Sequence, residues 1–313
     1  MRLTSINNRL KSFIHYASTG WRKHIFIAFL SILTIIVIVQ TLYINREVLQ
    51  SYDWNIQVHY LLYAWLFFCI DLLIALWGWH TIVAKFTQFS NFRQSSKIVL
   101  HANLARRIPG TIWYIASRAV LYETHGIKKR IISMLGGLEL ILFVSSGIII
   151  SLLSLPFWEI PIEVFEQLIA SKLIFGISIS SIFLIHPSIL SWMWKRFAPS
   201  SPQAKLTWND ALSWLLIYGL SWIVGGAVLF CVANMFKFAS LNLLMTYVGI
   251  WTLAGTVSLV GAIVIPFIGL REVSLIILLV ALFPFPVALI IGIVIRLIWL
   301  LGELIFALVS FKL

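Results

Sequence analysis

Seven charged residues stand inside or at the edge of long apolar runs: Asp71, Glu139, Lys172, Arg271, Glu272, Arg296 and Glu303. An arginine, lysine or aspartate at the centre of a membrane helix costs about 2.5–3.5 kcal/mol on insertion scales, so each needs a partner or a wet cavity. Three have local explanations. Lys172 lies near a span end, where its stem lets the ammonium reach the interface; Asp71 can cap or pair locally; Glu139, in GGLELIL, can bond a neighbouring helix. Arg296 and Glu303 are more telling, because seven residues are two helical turns and put both on one face of the last apolar segment. Arg271 and Glu272 are adjacent, hence on different faces, and are expected to meet Glu303 and Arg296 respectively. A purely structural network clamping the last helices is the alternative reading.

One of these charges, Arg271, follows a chain break, and so does a further arginine, Arg118. In IPFIGLREVSL, residues 265–275, Pro266 and Gly269 precede Arg271; in ARRIPGTIWYIASRAVLYETHG, residues 105–126, Pro109 and Gly110 precede Arg118. Broken segments recurring in two halves of a membrane chain point to a transport site, because half-helix ends aim backbone dipoles at a ligand. The arginine fork suits a phosphate and stays charged when partly desolvated. Glu272 and Glu303 would then hold the arginines when no headgroup is bound, leaving no bare charge in apolar surroundings. The first break lies in an amphipathic stretch, with Ile108, Ile112, Ile115, Ala119 and Tyr122 near one face, and is predicted to be able to lie on the membrane surface.

The elements that must position these groups are membrane helices. A chain 61% hydrophobic, 11% charged and of mean hydropathy +0.99 cannot cover itself with a polar surface. Stretches of roughly 20 apolar residues occur at 25–44, 60–84, 131–155, 168–190, 211–236, 241–265 and 284–311. The fold class is therefore all-α: a polytopic membrane protein of seven or eight transmembrane helices, with two Pro/Gly-broken re-entrant or half-helix segments, one within 85–130 and one at 266–286. Residues 272–283 read as a half-helix, or as part of an eighth element broken by Pro284 and Pro286. Residues 1–24 form a basic segment, and 25–313 a single integral membrane domain.

The net charge of +12 belongs to topology and not to nucleic acid. Arg2, Arg9, Lys11, Arg22 and Lys23 precede the first span; Lys85, Arg93, Lys97, Arg106, Arg107, Arg118, Lys128, Lys129 and Arg130 lie between the second and third, against Glu123 alone. These segments, with 191–210, are predicted to face the cytoplasm; the loops with Glu47 and Asp53 and with Glu159, Glu163 and Glu166 face outward. The amino terminus is thus cytoplasmic and the location a cytoplasmic membrane. A cleaved leader is not expected, since 25–44 is too long and no small-residue site follows it.

Enzyme signatures are absent: no Gly-x-Ser-x-Gly, His-Glu-x-x-His, phosphate loop or Cys-x-x-Cys occurs. His15, His24, His59, His80, His101, His125 and His186 never fall in i, i+4 pairs, and Cys69 and Cys231 read as core filler. No metal and no cofactor is expected. Most of the fourteen tryptophans are read as interfacial belts.

RRIPGTIWYIASR (106–118), HPSILSWMWKRF (186–197), LSWLLIYGLSWIVGG (212–226), PFIGLREVSL (266–275) and RLIWLLGEL (296–304), in this order, resemble the lysylphosphatidylglycerol synthase transmembrane-region family, also called flippase-like domain proteins. The resemblance covers about residues 10–311. It implies a helical domain with re-entrant half-helices, similar to the lipid-flipping half of the multiple peptide resistance factor and to membrane domains found beside polyprenyl-phosphate glycosyltransferases. By this resemblance Pro109, Gly110, Trp113 and Arg118 match one motif, Gly269, Arg271 and Glu272 a second, and Arg296 and Glu303 the last helix. Phe267 and Ile268 stand where the family often has more glycine, and no segment reads as a soluble aminoacyl-transferase domain, so lysine transfer is not implied.

The expected function is a flippase or scramblase-like transporter of a phospholipid or polyprenyl-phosphate-linked headgroup, its partners membrane lipids with anionic or phosphate-bearing heads. A membrane scaffold for a separately encoded glycosyltransferase or lipid-modifying enzyme is the alternative, motivated by the basic segment 85–130. An intramembrane transferase using Glu139 or Glu272 as base has no accompanying nucleophile.

Overall fold

A computed structural model describes residues 36–54, 56–104, 112–158, 186, 188–189, 191–192, 195, 206–264 and 269–312. The chain divides into two compact units, one up to Asp53 and one from Trp54. In the first, residues 36–44 and Arg46–Ser51 are helical. Residues 36–44 are the end of the expected first span; its start, and the expected span 168–190 except 186 and 188–189, lie outside the described residues.

The second unit holds eight helices among its described residues, beside short 3₁₀ turns at Leu155–Phe157 and Leu241–Leu243: α1 His59–Thr87, α2 Phe92–Asn103, α3 Ile112–Glu123, α4 Lys129–Ser154, α5 Trp208–Phe236, α6 Leu244–Val264, α7 Leu270–Leu279 and α8 Phe285–Lys312. Five are long and apolar enough to cross a membrane: α1, α4, α5, α6 and α8. They coincide with the remaining five predicted spans. At 1.5 Å per residue, the 29 residues of α1 reach about 43 Å, ample for a core about 30 Å thick.

Local chemistry sets the ends. Asn91 caps α2 by accepting from the Gln94 amide, and Gln88 closes α1 in the left-handed region, φ 60°, its N–H returning to the Ala84 carbonyl. Thr207 and Asp210 form a capping box at the start of α5, where Asp210 also pairs with Lys85 of α1 at 2.9 Å. The start of α5 thus meets the end of α1, and Gln57, just before α1, donates its backbone N–H to the Met235 carbonyl near the other end of α5. The two helices are antiparallel.

Helix α5 is the hub, packing on α1, α4, α6 and α8. Without a hydrophobic force between helices in lipid, close approach over small residues supplies the association. Trp222 of α5 lies against Gly147 of α4 and Gly255 of α6; Trp251 of α6 lies against Gly225 of α5; Trp158 lies against Gly249. Ser151 of α4 donates to Thr252 of α6 at 3.0 Å, and Trp222 donates to the Phe143 carbonyl. Trp79, Trp214, Trp222 and Trp251 are buried core residues. The indoles of Trp222 and Trp251 fill the space that Gly147, Gly255 and Gly225 leave. Cys231 is buried and Cys69 half-buried.

The shorter helices cannot span. Helices α2 and α3, twelve residues each, reach about 18 Å; they pack on one another, with Ser95 of α2 against Tyr122 of α3. Helix α7 has ten residues and overlaps the apolar stretch 272–283.

Candidate functional site

The first cluster is built on α3 and α4. The turn after Glu123 reverses the chain at Gly126, whose φ of +80° suits glycine, and α3 returns along the first turns of α4. Ile115 sits so close to Gly136 that a Cβ there would lie 2.8 Å from its methyl. This approach brings Arg118 inward. Its Nη1 donates to Glu139 Oε2 at 2.6 Å, with the two side chains 2% and 4% exposed.

Rings enclose the guanidinium, with Trp79 of α1 4.3 Å and Tyr114 of α3 5.1 Å from its carbon. Tyr218 of α5 donates its hydroxyl to Glu139 Oε1 at 3.5 Å, the long limit of a hydrogen bond. A second tier holds the cage: Trp79 Nε1 donates to the Tyr122 hydroxyl at 3.0 Å, which lies 2.6 Å from Ser95 Oγ. Burial acts to lower the pKa of Arg118, but Glu139, Tyr114 and Tyr218 outweigh it and hold the guanidinium above its ordinary range. Arg118 Nε is buried with no hydrogen-bond partner among the described residues.

One expectation changes here. Within the described helix of the stretch 105–126, Tyr114, Arg118, Ala119 and Tyr122 are all buried. Arg118 is therefore not one of the solvated basic charges of that segment; its charge is spent on Glu139. Among the described side chains of this stretch, Val120 and those of 123–125 are exposed. Pro109, Gly110 and the side chain of Trp113 lie outside the described residues.

The second cluster sits where α6, α7 and α8 meet. Gly269, at φ +104°, caps α7, so Arg271 and Glu272 fall in its first turn. Glu272 Oε1 accepts from Arg296 Nη1 of α8 at 2.8 Å, the pairing expected from the sequence. The pair is open, with side-chain exposures of 52% for Arg296 and 32% for Glu272. Arg296 follows Phe285 by eleven residues along α8, about 16 Å, so this charge stands near the middle of an apolar span.

Arg271 lies over the indole of Trp251 at 3.9 Å, and 5.7 Å from that of Trp299, which itself contacts Trp251 at 4.6 Å. Phe68 of α1 meets Trp299 edge-on and fits against Gly302, next to the buried Glu303. Gly269→Ala is expected to cost about 1–2 kcal/mol, because the left-handed conformation is unfavourable for a residue with a Cβ. Earlier amide exchange across 270–279 checks it.

The sites share a design that the sequence did not announce: each arginine after a break is seated on a tryptophan of a neighbouring spanning helix, Trp79 for Arg118 and Trp251 for Arg271. Asp71 accepts from Ser221 of α5, a structural link between α1 and α5. Among the described residues no group of three or more His, Cys, Asp or Glu converges as a metal site.

These features define the class: a polytopic helical membrane protein carrying two arginine–carboxylate clusters between its helices. Comparison with protein-family models, with curated proteins and with solved structures found no match.

Proposed function

We propose that the protein is a lipid transporter of the flippase or scramblase type, moving a phosphate-bearing headgroup across a cytoplasmic membrane without hydrolysing nucleotide. One observation carries the reading: an open Arg296–Glu272 pair near mid-span of α8, beside Arg271 on its tryptophan seat. A charge pair at that depth is expensive unless it meets polar cargo, and two guanidiniums offer forked donors that fit phosphate oxygens. The resemblance to the lysylphosphatidylglycerol synthase transmembrane region supports the same reading.

In this proposal the chain crosses seven or eight times with its amino terminus cytoplasmic, α2–α3 and α7 are re-entrant, and Pro109, Gly110 and Trp113 form the first break. The Arg118–Glu139 cluster is closed in the conformation described here, so the α7–α8 cluster is the point of headgroup contact. The scaffold role for a glycosyltransferase is the competing reading.

Vesicles carrying fluorescent phospholipid or polyprenyl-phosphate analogues test it, by loss of the inner-leaflet pool to an outside quencher. The native protein is expected to move at least one analogue, and Arg271→Ala to slow it at least about tenfold, the effect of one lost charge-assisted contact. A folded native protein that moves neither analogue would overturn the proposal in favour of the scaffold.

A further inference from the structure

Resting on the reading of the protein as a lipid transporter, we infer that the Arg296–Glu272 pair selects zwitterionic headgroups, those joining a phosphate to a primary ammonium, over purely anionic ones. The argument is one of charge exchange. Arg296 and Glu272 face each other at 2.8 Å and remain exposed, so cargo arriving at Arg296 competes with the Glu272 carboxylate for the same donors. A headgroup carrying only a phosphate takes Arg296 and leaves Glu272, on the short helix beside the apolar span α8, without that countercharge, which is unfavourable wherever water is scarce. A headgroup carrying only an ammonium leaves Arg296 in that position.

A headgroup carrying both exchanges one internal ion pair for two external ones, phosphate on Arg296 and ammonium on Glu272, with every charge still met. Arg271, adjacent to Glu272 in the first turn of α7, is held over Trp251 and near Trp299, which orders a second guanidinium on the same short helix. A primary ammonium donates hydrogen bonds to the carboxylate; a quaternary one lacks N–H donors and makes a weaker contact. The order of preference is therefore phosphoethanolamine type, then phosphocholine type, then phosphoglycerol type.

Equilibrium binding of short-chain fluorescent lipids of these three kinds to the purified full chain in detergent tests the inference apart from any movement. The native protein is expected to bind the phosphoethanolamine probe about tenfold more tightly than the phosphoglycerol probe, the scale of one charge-assisted contact. Glu272→Gln, which keeps shape and removes the charge, is expected to bring that ratio to about one, and Arg296→Lys, which keeps the charge, to preserve its direction. Equal native binding of the two probes, or a preference that Glu272→Gln leaves unchanged, would overturn the inference. The two claims fail separately: a Glu272-dependent preference without lipid movement removes the transporter reading alone, whereas movement without such a preference removes this inference alone.

Discussion

Glu139→Leu is expected to destabilise the protein by about 3–5 kcal/mol, whereas Arg118→Met with Glu139→Leu recovers most of that loss. The single substitution leaves a guanidinium 2% exposed with its carboxylate gone and its Nε already without a partner. Removing one partner of a buried pair is costly because the remaining charge has no water to return to. The double substitution removes both charges and keeps the volume, and a methionine thioether packs well between the rings of Trp79 and Tyr114. Unfolding by sodium dodecyl sulfate, followed by circular dichroism, reads all three proteins. A cost for Glu139→Leu of only about 1 kcal/mol, the scale of an exposed pair, would mean that the cage admits water. A double variant no more stable than the single would mean that the pair orders α3 on α4 by its geometry, beyond its charge.

What was legible in the sequence follows the reach of each interaction. Helix-length apolar runs depend only on neighbours along the chain, and α1, α4, α5, α6 and α8 lie where hydropathy puts them. The short helix α7 was legible for the same reason, since it lies between Gly269 and Pro284. The Arg296–Glu272 pair could be anticipated because charges so deep in apolar sequence have few partners to choose from. The Arg118–Glu139 pair could not. Its arginine sits among basic residues that read as a cytoplasmic loop, and only the reversal at Gly126 carries it back along α4 to the one acid there.

The aromatic seats were less legible still. Trp79 and Trp251 lie 39 and 20 residues from the arginines they support, and hydropathy treats an indole alike whether it faces lipid or a guanidinium. For Trp251 glycine gives a signal, since Gly225 on the facing helix leaves room for its indole; Trp79 has no such glycine partner among the described residues.

Gly226→Val is expected to be the most disruptive glycine substitution in the bundle, for a reason that bears on the second cluster. A Cβ at this position would lie 2.5 Å from the Cα of Val248, a backbone atom that cannot rotate aside. Helices α5 and α6 must therefore separate, and overpacking of this kind costs about 1–3 kcal/mol or more. The separation also carries Trp251 away from Gly225, and Trp251 supports Arg271 at 3.9 Å. The substitution should thus loosen the seat of Arg271 and reduce lipid binding without touching any charged residue. Gly137→Ala is the matched control: nothing lies within 4 Å of the Cβ it would add to α4, and removing a helical glycine is worth roughly 0.5–1 kcal/mol in favour of the fold. Lower resistance to unfolding and weaker lipid binding in Gly226→Val, with neither loss in Gly137→Ala, would tie the arginine seat to the α5–α6 contact. Gly226→Val behaving like its control would mean that the two helices are not in close contact at Val248, and that Trp251 is held by Trp299 and Arg271 alone.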